Sequence, residues 1–267
     1  MTADTRAMES LLAFWADAGV DATYADAPTD RTAERTAPPG ASPSVVVAIS
    51  SPSQSVSPPI SVVGLAEARR LADQAVDLAG LAAAIAAFDG CALKTSGARQ
   101  AVFSRGAEDA PVMVIGEAPG AEEDIQGAPF VGRAGKLLDK MLAAAGLEGR
   151  VFITNTVFWR PPGNRTPTAE EQLVCAPFLE RAVALVRPRL LLLSGGAAAK
   201  SVLGQKEGIL ALRGRWLEWR SGDGALEIPA MPSLHPAFLL RQPSAKKKAW
   251  EDLLTLAERL DRPERPA

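Results

Sequence analysis

The one histidine in 267 residues, His235, stands in "PSLHPAFLL", residues 232–240, with a proline restricting the backbone on either side. An imidazole so held can donate a hydrogen bond to charge developing on a substrate oxygen. It can also serve as a structural residue, as most isolated histidines do. Acids gather in "GEAPGAEEDIQGAPFVGRAG", residues 116–135, where Glu117, Glu122, Glu123 and Asp124 would repel a phosphate. The stretch carries neither GxxxxGK[ST] nor GxGxxG, so a nucleotide-triphosphate or dinucleotide reading is poor. Its glycines let backbone amides approach a ligand, and Phe130 offers an aromatic face to one. The plainer reading is a solvated acidic loop with Phe130 filling the core. A third stretch, "NTVFWRPPGNRTP", residues 155–167, begins with an amide that can read the edge of a base through one donor and one acceptor, or simply cap a turn. Arg160 and Arg165 flank its rigid Pro-Pro-Gly-Asn turn.

These residues need a frame, and the pattern around them supplies one. "PVMVIG", "VFITN" and "RLLLLSG" are short apolar runs that predict strands, each followed by a helical pattern. "RGRWLEWR" and "LEIPAMPS" predict two more strands. Residues 133–146, 166–186 and 245–260 predict helices, the second opened by a Thr168/Glu171 capping box and kinked at Pro177. Residues 64–87 predict one helix, broken near Gly80. Strands alternating with helices argue an α/β domain with a parallel core sheet, helices on both faces and ligands at the strands' carboxyl ends. All three chemistry-bearing stretches follow strands.

Residues 1–60 carry seven acids and three bases, and residues 28–59 hold seven prolines. We read them as an acidic extension with a short helix at 6–19 and a Pro-rich linker, ahead of a domain over 61–267. The formal net charge is −2, so a body of about net +2 remains. That permits nucleic-acid binding without requiring it. Two cysteines make no disulfide framework, and no stretch predicts a membrane span, so a cytoplasmic monomer is the expectation.

Taken in order and at this spacing, "GEAPGAEEDIQGAPFVGRAGKLLDKML", "NTVFWRPPGNRTPTAEE" and "PSLHPAFLL" resemble the family 4 uracil-DNA glycosylases from about Phe88 to Leu260. The resemblance implies a three-layer α/β/α fold around a four-stranded parallel sheet. It also implies a DNA-repair activity that flips uracil out and hydrolyses its N-glycosidic bond. Glu117, Glu123 and His235 take the catalytic roles: the carboxylates line the pocket and position water, and His235 lies beside uracil O2. Phe130 stacks on the base and Asn155 selects it, with Ala118 and Ser233 as further substrate contacts. Arg160, Arg165, Arg241, Lys246, Lys247 and Lys248 are the expected phosphate contacts, although three lysines at a helix start are also an ordinary solvated surface. A catalytically weak uracil-DNA binder of the same fold, and an unrelated α/β enzyme using Glu117 and His235 as an acid–base pair, are the competing readings.

One departure stands out. The family carries four cysteines that bind a [4Fe–4S] cluster. Here Cys91 and Cys175 match the second and fourth, while Phe88 and Trp159 fall at the other two. We therefore expect no cluster and no other metal. The basic, histidine-bearing insertion of the covalently trapping relatives is also missing.

Overall fold

The computed structural model describes residues 62–262. The extension, its linker and the helix expected at 6–19 lie outside the described residues. The chain opens with α1 (Val62–Gln74) and α2 (Leu78–Ala87), then a single turn, α3 (Ala92–Thr95). The predicted 64–87 helix breaks earlier than expected, because Asp77 caps α2 by accepting from the Gly80 amide at 2.7 Å. Then come β1 (Ser104–Gly106), β2 (Val112–Gly116), α4 (Ala121–Gln126), α5 (Arg133–Ala144) and β3 (Val151–Asn155). Next are α6 (Ala169–Val186), β4 (Leu190–Ser194), α7 (Gly196–Leu203) and α8 (Ile209–Leu212). The order closes with β5 (Leu217–Arg220), β6 (Glu227–Ser233), α9 (Pro236–Arg241) and α10 (Lys246–Asp261).

The sheet runs β1-β3-β2-β4-β6-β5. Its inner four strands are parallel, as expected, and an antiparallel strand closes each edge. "SRG" at β1 has no apolar alternation to reveal it; it is a strand because β3 offers a free edge, with Arg105 opposite Ile153. The strand predicted over 213–220 starts only at Leu217, since Arg213 is drawn into an ion pair with Asp252.

β2, β3 and β4 are buried along their whole length, which explains why they read as unbroken apolar runs. Met113, Ile115, Phe152, Leu191 and Leu193 face one core layer with Phe178 and Ala182 of α6. Val112, Val114, Ile153 and Leu192 face the other, with Leu138 of α5 and Leu253 and Leu256 of α10. α6 starts at the predicted capping box, where Thr168 Oγ1 accepts from the Glu171 amide and Glu171 accepts from the Thr168 amide. It runs unbroken through Pro177. The carbonyl that this proline cannot serve belongs to Leu173, a residue on the exposed side of the helix.

The four parallel strands end in one row: Asn155 opposite Gly116, and Ser194 opposite Ser233. By strand alternation these positions share the face that carries Val114, Ile153 and Leu192. The site is built on that row.

Candidate active site

Gly116 is the low point of the site. A Cβ there would fall 2.4 Å from Asn155 Oδ1 and 2.6 Å from the Phe130 ring, so the missing side chain lets these two groups meet. Asn155 is buried, and its Oδ1 has no hydrogen-bond partner. An orphaned buried acceptor costs about 1–3 kcal/mol, a cost that a ligand N–H placed here would remove.

Phe130 is buried and holds a left-handed backbone, φ +54°. That conformation costs a non-glycine residue roughly 1–2 kcal/mol, and two clamps offset it. On one side Glu123 Oε1 accepts from the amides of Val131 (3.0 Å) and Gly132 (2.9 Å), while its Oε2 accepts from Gly120 (3.1 Å). On the other, Arg105 donates to the carbonyls of Pro129 (2.7 Å) and Phe130 (3.1 Å). Gly135 completes the fit: a Cβ there would lie 1.7 Å from the Phe130 carbonyl oxygen.

His235 faces this ring, with centroids 5.6 Å apart and planes 33° apart. It caps α9, its Nδ1 accepting from the Ala237 amide at 3.1 Å. The proton of the neutral ring is therefore on Nε2. Burial, aided by the charge of Arg241 and opposed by Glu123, pushes its pKa down to about 4. At neutral pH His235 is an uncharged donor. Gly195 backs it, since a Cβ there would lie 3.0 Å from the His235 Cβ.

A cavity of about 540 Å³ opens over these groups, lined by Glu117, Ala118, Glu123, Phe130, His235 and Arg241 among others. Asn155 is buried next to the Phe130 edge and is not among the residues that line the cavity. Glu117 lines the cavity, and its carboxylate has no hydrogen-bond or ion-pair partner among the described residues, while its carbonyl accepts from Thr156 Oγ1 at 2.7 Å, tying the first loop to the second. The two expected carboxylates are thus placed differently: three amides hold Glu123 as a loop staple, and Glu117 faces the open space.

Not every expected contact comes to the site. The Ser233 hydroxyl donates to Asp252 Oδ2 at 2.8 Å, away from the cavity. Burial raises the pKa of Asp252 against the opposing hydrogen bonds of Ser233 and Arg213. Arg165 lines the cavity but is held by Glu171 through contacts of 2.6 and 2.8 Å, and Arg160 donates to Asn164 at 2.7 Å. Lys246, Lys247 and Lys248 are exposed on α10 and do not line the cavity; Arg241 does. Sequence reasoning missed Arg105, Thr156 and Asp252. Arg105 and Asp252 sit outside the three stretches, and Thr156, though inside the second, has no signal of its own beside Asn155.

A model of the uracil DNA glycosylase superfamily matches residues 103–254. The chain belongs to the uracil DNA glycosylase superfamily. Within it, the chain is 39% identical to the Type-4 uracil-DNA glycosylase of Sulfurisphaera tokodaii over 171 residues, covering 62% of this chain and 77% of that one. It is 39% identical to the Type-4 enzyme of Thermotoga maritima over 145 residues, covering 54% and 73%. For the Type-4 enzyme of Archaeoglobus fulgidus the figures are 36% over 158 residues, covering 57% and 78%. These similarities place it in the Type-4 family.

The [4Fe–4S] cluster implied by the family resemblance finds no fitting residues here. Cys91 Sγ and Cys175 Sγ lie 3.9 Å apart, both buried. Burial lifts the Cys175 thiol and the hydrogen bond from Cys175 lowers the Cys91 thiol, and this pair is two short of the four thiolates a cluster needs. Phe88 and Trp159 are each 1% exposed, with ring centroids 6.4 Å apart, and Phe88 packs edge-on against Phe178 at 5.2 Å. Rings occupy the space that two further thiolates would need.

Among the described residues no helix is long and apolar enough to cross a membrane.

Proposed function

We propose that this chain removes uracil from DNA by hydrolysing its N-glycosidic bond, leaving free uracil and an abasic site. The observation that carries the reading is the orphaned Asn155 Oδ1 beside the edge of the Phe130 ring, with a neutral imidazole carrying its proton on Nε2 centred 5.6 Å from that ring. A flipped uracil has the matching pattern. Its N3–H satisfies Oδ1, its O4 accepts from the Asn155 amide, its ring stacks on Phe130, and its O2 accepts from His235. Cytosine presents an acceptor at N3 and a donor at C4, and so opposes both atoms of Asn155.

As the bond between C1′ and N1 breaks, its electron pair passes to uracil and spreads onto O2. A donor aimed at O2 from a site that excludes water stabilises that anion. A neutral His235 does so without transferring its proton. Water then adds to C1′ and gives up a proton, with the Glu117 carboxylate as the free acceptor facing the cavity. Arg241 at the rim, with the exposed lysines that start α10, supplies phosphate contacts. The reading includes no iron–sulfur cluster, a monomer, a cytoplasmic location, and a catalytic body over residues 61–267.

The test is a uracil-containing oligonucleotide incubated with the purified protein and then treated with alkali. Strand cleavage at uracil is expected, and Asn155→Asp should lose the preference for uracil. A folded protein that binds the oligonucleotide and leaves it uncut would identify a binder of the same fold instead.

A further inference from the structure

Phe130 is held from two sides, and only one of them belongs to the loops that carry the family resemblance. Glu123 lies seven residues upstream and takes the amides that follow the ring. Arg105 comes from β1, the short edge strand, and takes the carbonyls on the other side: Nε on Pro129 and Nη2 on Phe130. Nη2 also reaches Asp139 Oδ1 of α5 at 2.6 Å, which fixes the guanidinium plane from behind. A planar fork with several donors can hold two successive carbonyls; an ammonium cannot do so with the same geometry. A left-handed residue other than glycine persists only where its surroundings over-determine it. With its Arg105 bonds removed, the 129–130 segment would be free to relax and the ring to leave the place over Gly116.

We propose that Arg105 is a positioning residue for base recognition: from β1 it locks Phe130 in the left-handed conformation that sets its ring under the flipped base. The inference rests on the uracil reading of the cavity for its kinetic consequence, but not for its structural one. DNA is held through phosphates elsewhere, so loss of the lock falls on the step after binding.

Two measurements test it. In protein labelled with 4-fluorophenylalanine, the fluorine NMR line of residue 130 is assigned as the one lost in Phe130→Leu. Arg105→Met should shift or broaden that line without substrate present, and Asp139→Asn, which leaves both carbonyl bonds, should move it far less. An unmoved line in Arg105→Met overturns the proposal whatever the enzyme acts on. On uracil-containing DNA, Arg105→Met should lower kcat about tenfold, the scale of one weakened stacking contact, with KM changed by less than about twofold. In a Phe130→Ala background the same substitution should cost nothing further. An equal loss in both backgrounds assigns Arg105 a general structural role and overturns the proposal. Should Arg105→Met fail to fold, Arg105→Lys keeps the charge and carries the same measurements.

Discussion

The cavity side of the sheet and the aromatic layer around Trp159 both draw on the loop that follows β3, yet they are finished in opposite ways. Around Phe130 the chain keeps an orphaned acceptor, a left-handed phenylalanine and a buried imidazole held neutral. Around Trp159 the rings of Phe88, Phe158, Phe178 and Trp159 are buried and pack edge against face, and the Cys91 and Cys175 thiols lie 3.9 Å apart. One region stores strain and unmet hydrogen bonds for a ligand to use. The other fills its volume and contributes stability. Residues matching the family's motifs occur in both regions, so a motif position alone does not say which role a residue has here.

The contrast breaks most easily at Trp159. Trp159→Ala removes a fully buried ring and should lower stability by about 3–5 kcal/mol, read from denaturant midpoints, while the folded fraction keeps its turnover. Next comes His235→Ala. Removing one donor to a developing anion should cost about 2.7–4 kcal/mol of barrier, roughly 10²–10³ in kcat, with a smaller stability loss of about 0.5–2 kcal/mol from the missing α9 cap. A large activity loss from Trp159→Ala at full folding, or none from His235→Ala, would erase the division between the two regions.

A gentler probe is pH. The folded His235 titrates near 4 against 6.5 for the free side chain, because burial disfavours the charged ring. Its stabilising contribution is therefore complete above 6.5 and is lost as pH falls toward 4. Between pH 7 and 5 the imidazole stays neutral, so kcat should show no inflection near 6.5, and a fall attributable to this group should begin only near pH 4. A midpoint at 6.5 would mean that the ring is solvated and its Nδ1 contact to Ala237 is not maintained. The smallest expected effect concerns iron. Dialysis against a chelator should leave both melting and turnover unchanged, with no absorbance near 400 nm at the start. Stoichiometric iron in anaerobically purified protein would show that the aromatic layer can open around Cys91 and Cys175.

Much of the frame was legible because it rests on local rules. The inner strands are buried on both faces and so cannot alternate, and Thr168 with Glu171 can do little else than cap α6. The three loops follow from the same reasoning, since a parallel sheet puts them at one edge. What local rules cannot register is a partner distant in sequence. Ser233 looked like a pocket residue from its neighbour His235, yet an aspartate 19 positions away takes its hydroxyl. Glu117 and Glu123 looked alike as acids in one loop. Only the fold turns three amides onto Glu123 and leaves Glu117 facing the cavity.

The sequence by itself determined the alternation of strands and helices, the row of strand ends that carries Asn155 and Gly116, and the absence of two cluster ligands, because each follows from residue type and spacing. Tertiary structure decided which polar atoms stay unmet. Hydrogen bonds are satisfied across space, so the neutrality of His235, the grip of Arg105 on Phe130 and the orphaned Oδ1 of Asn155 exist only once strands 50 residues apart in the chain, such as Arg105 and Asn155, share one sheet.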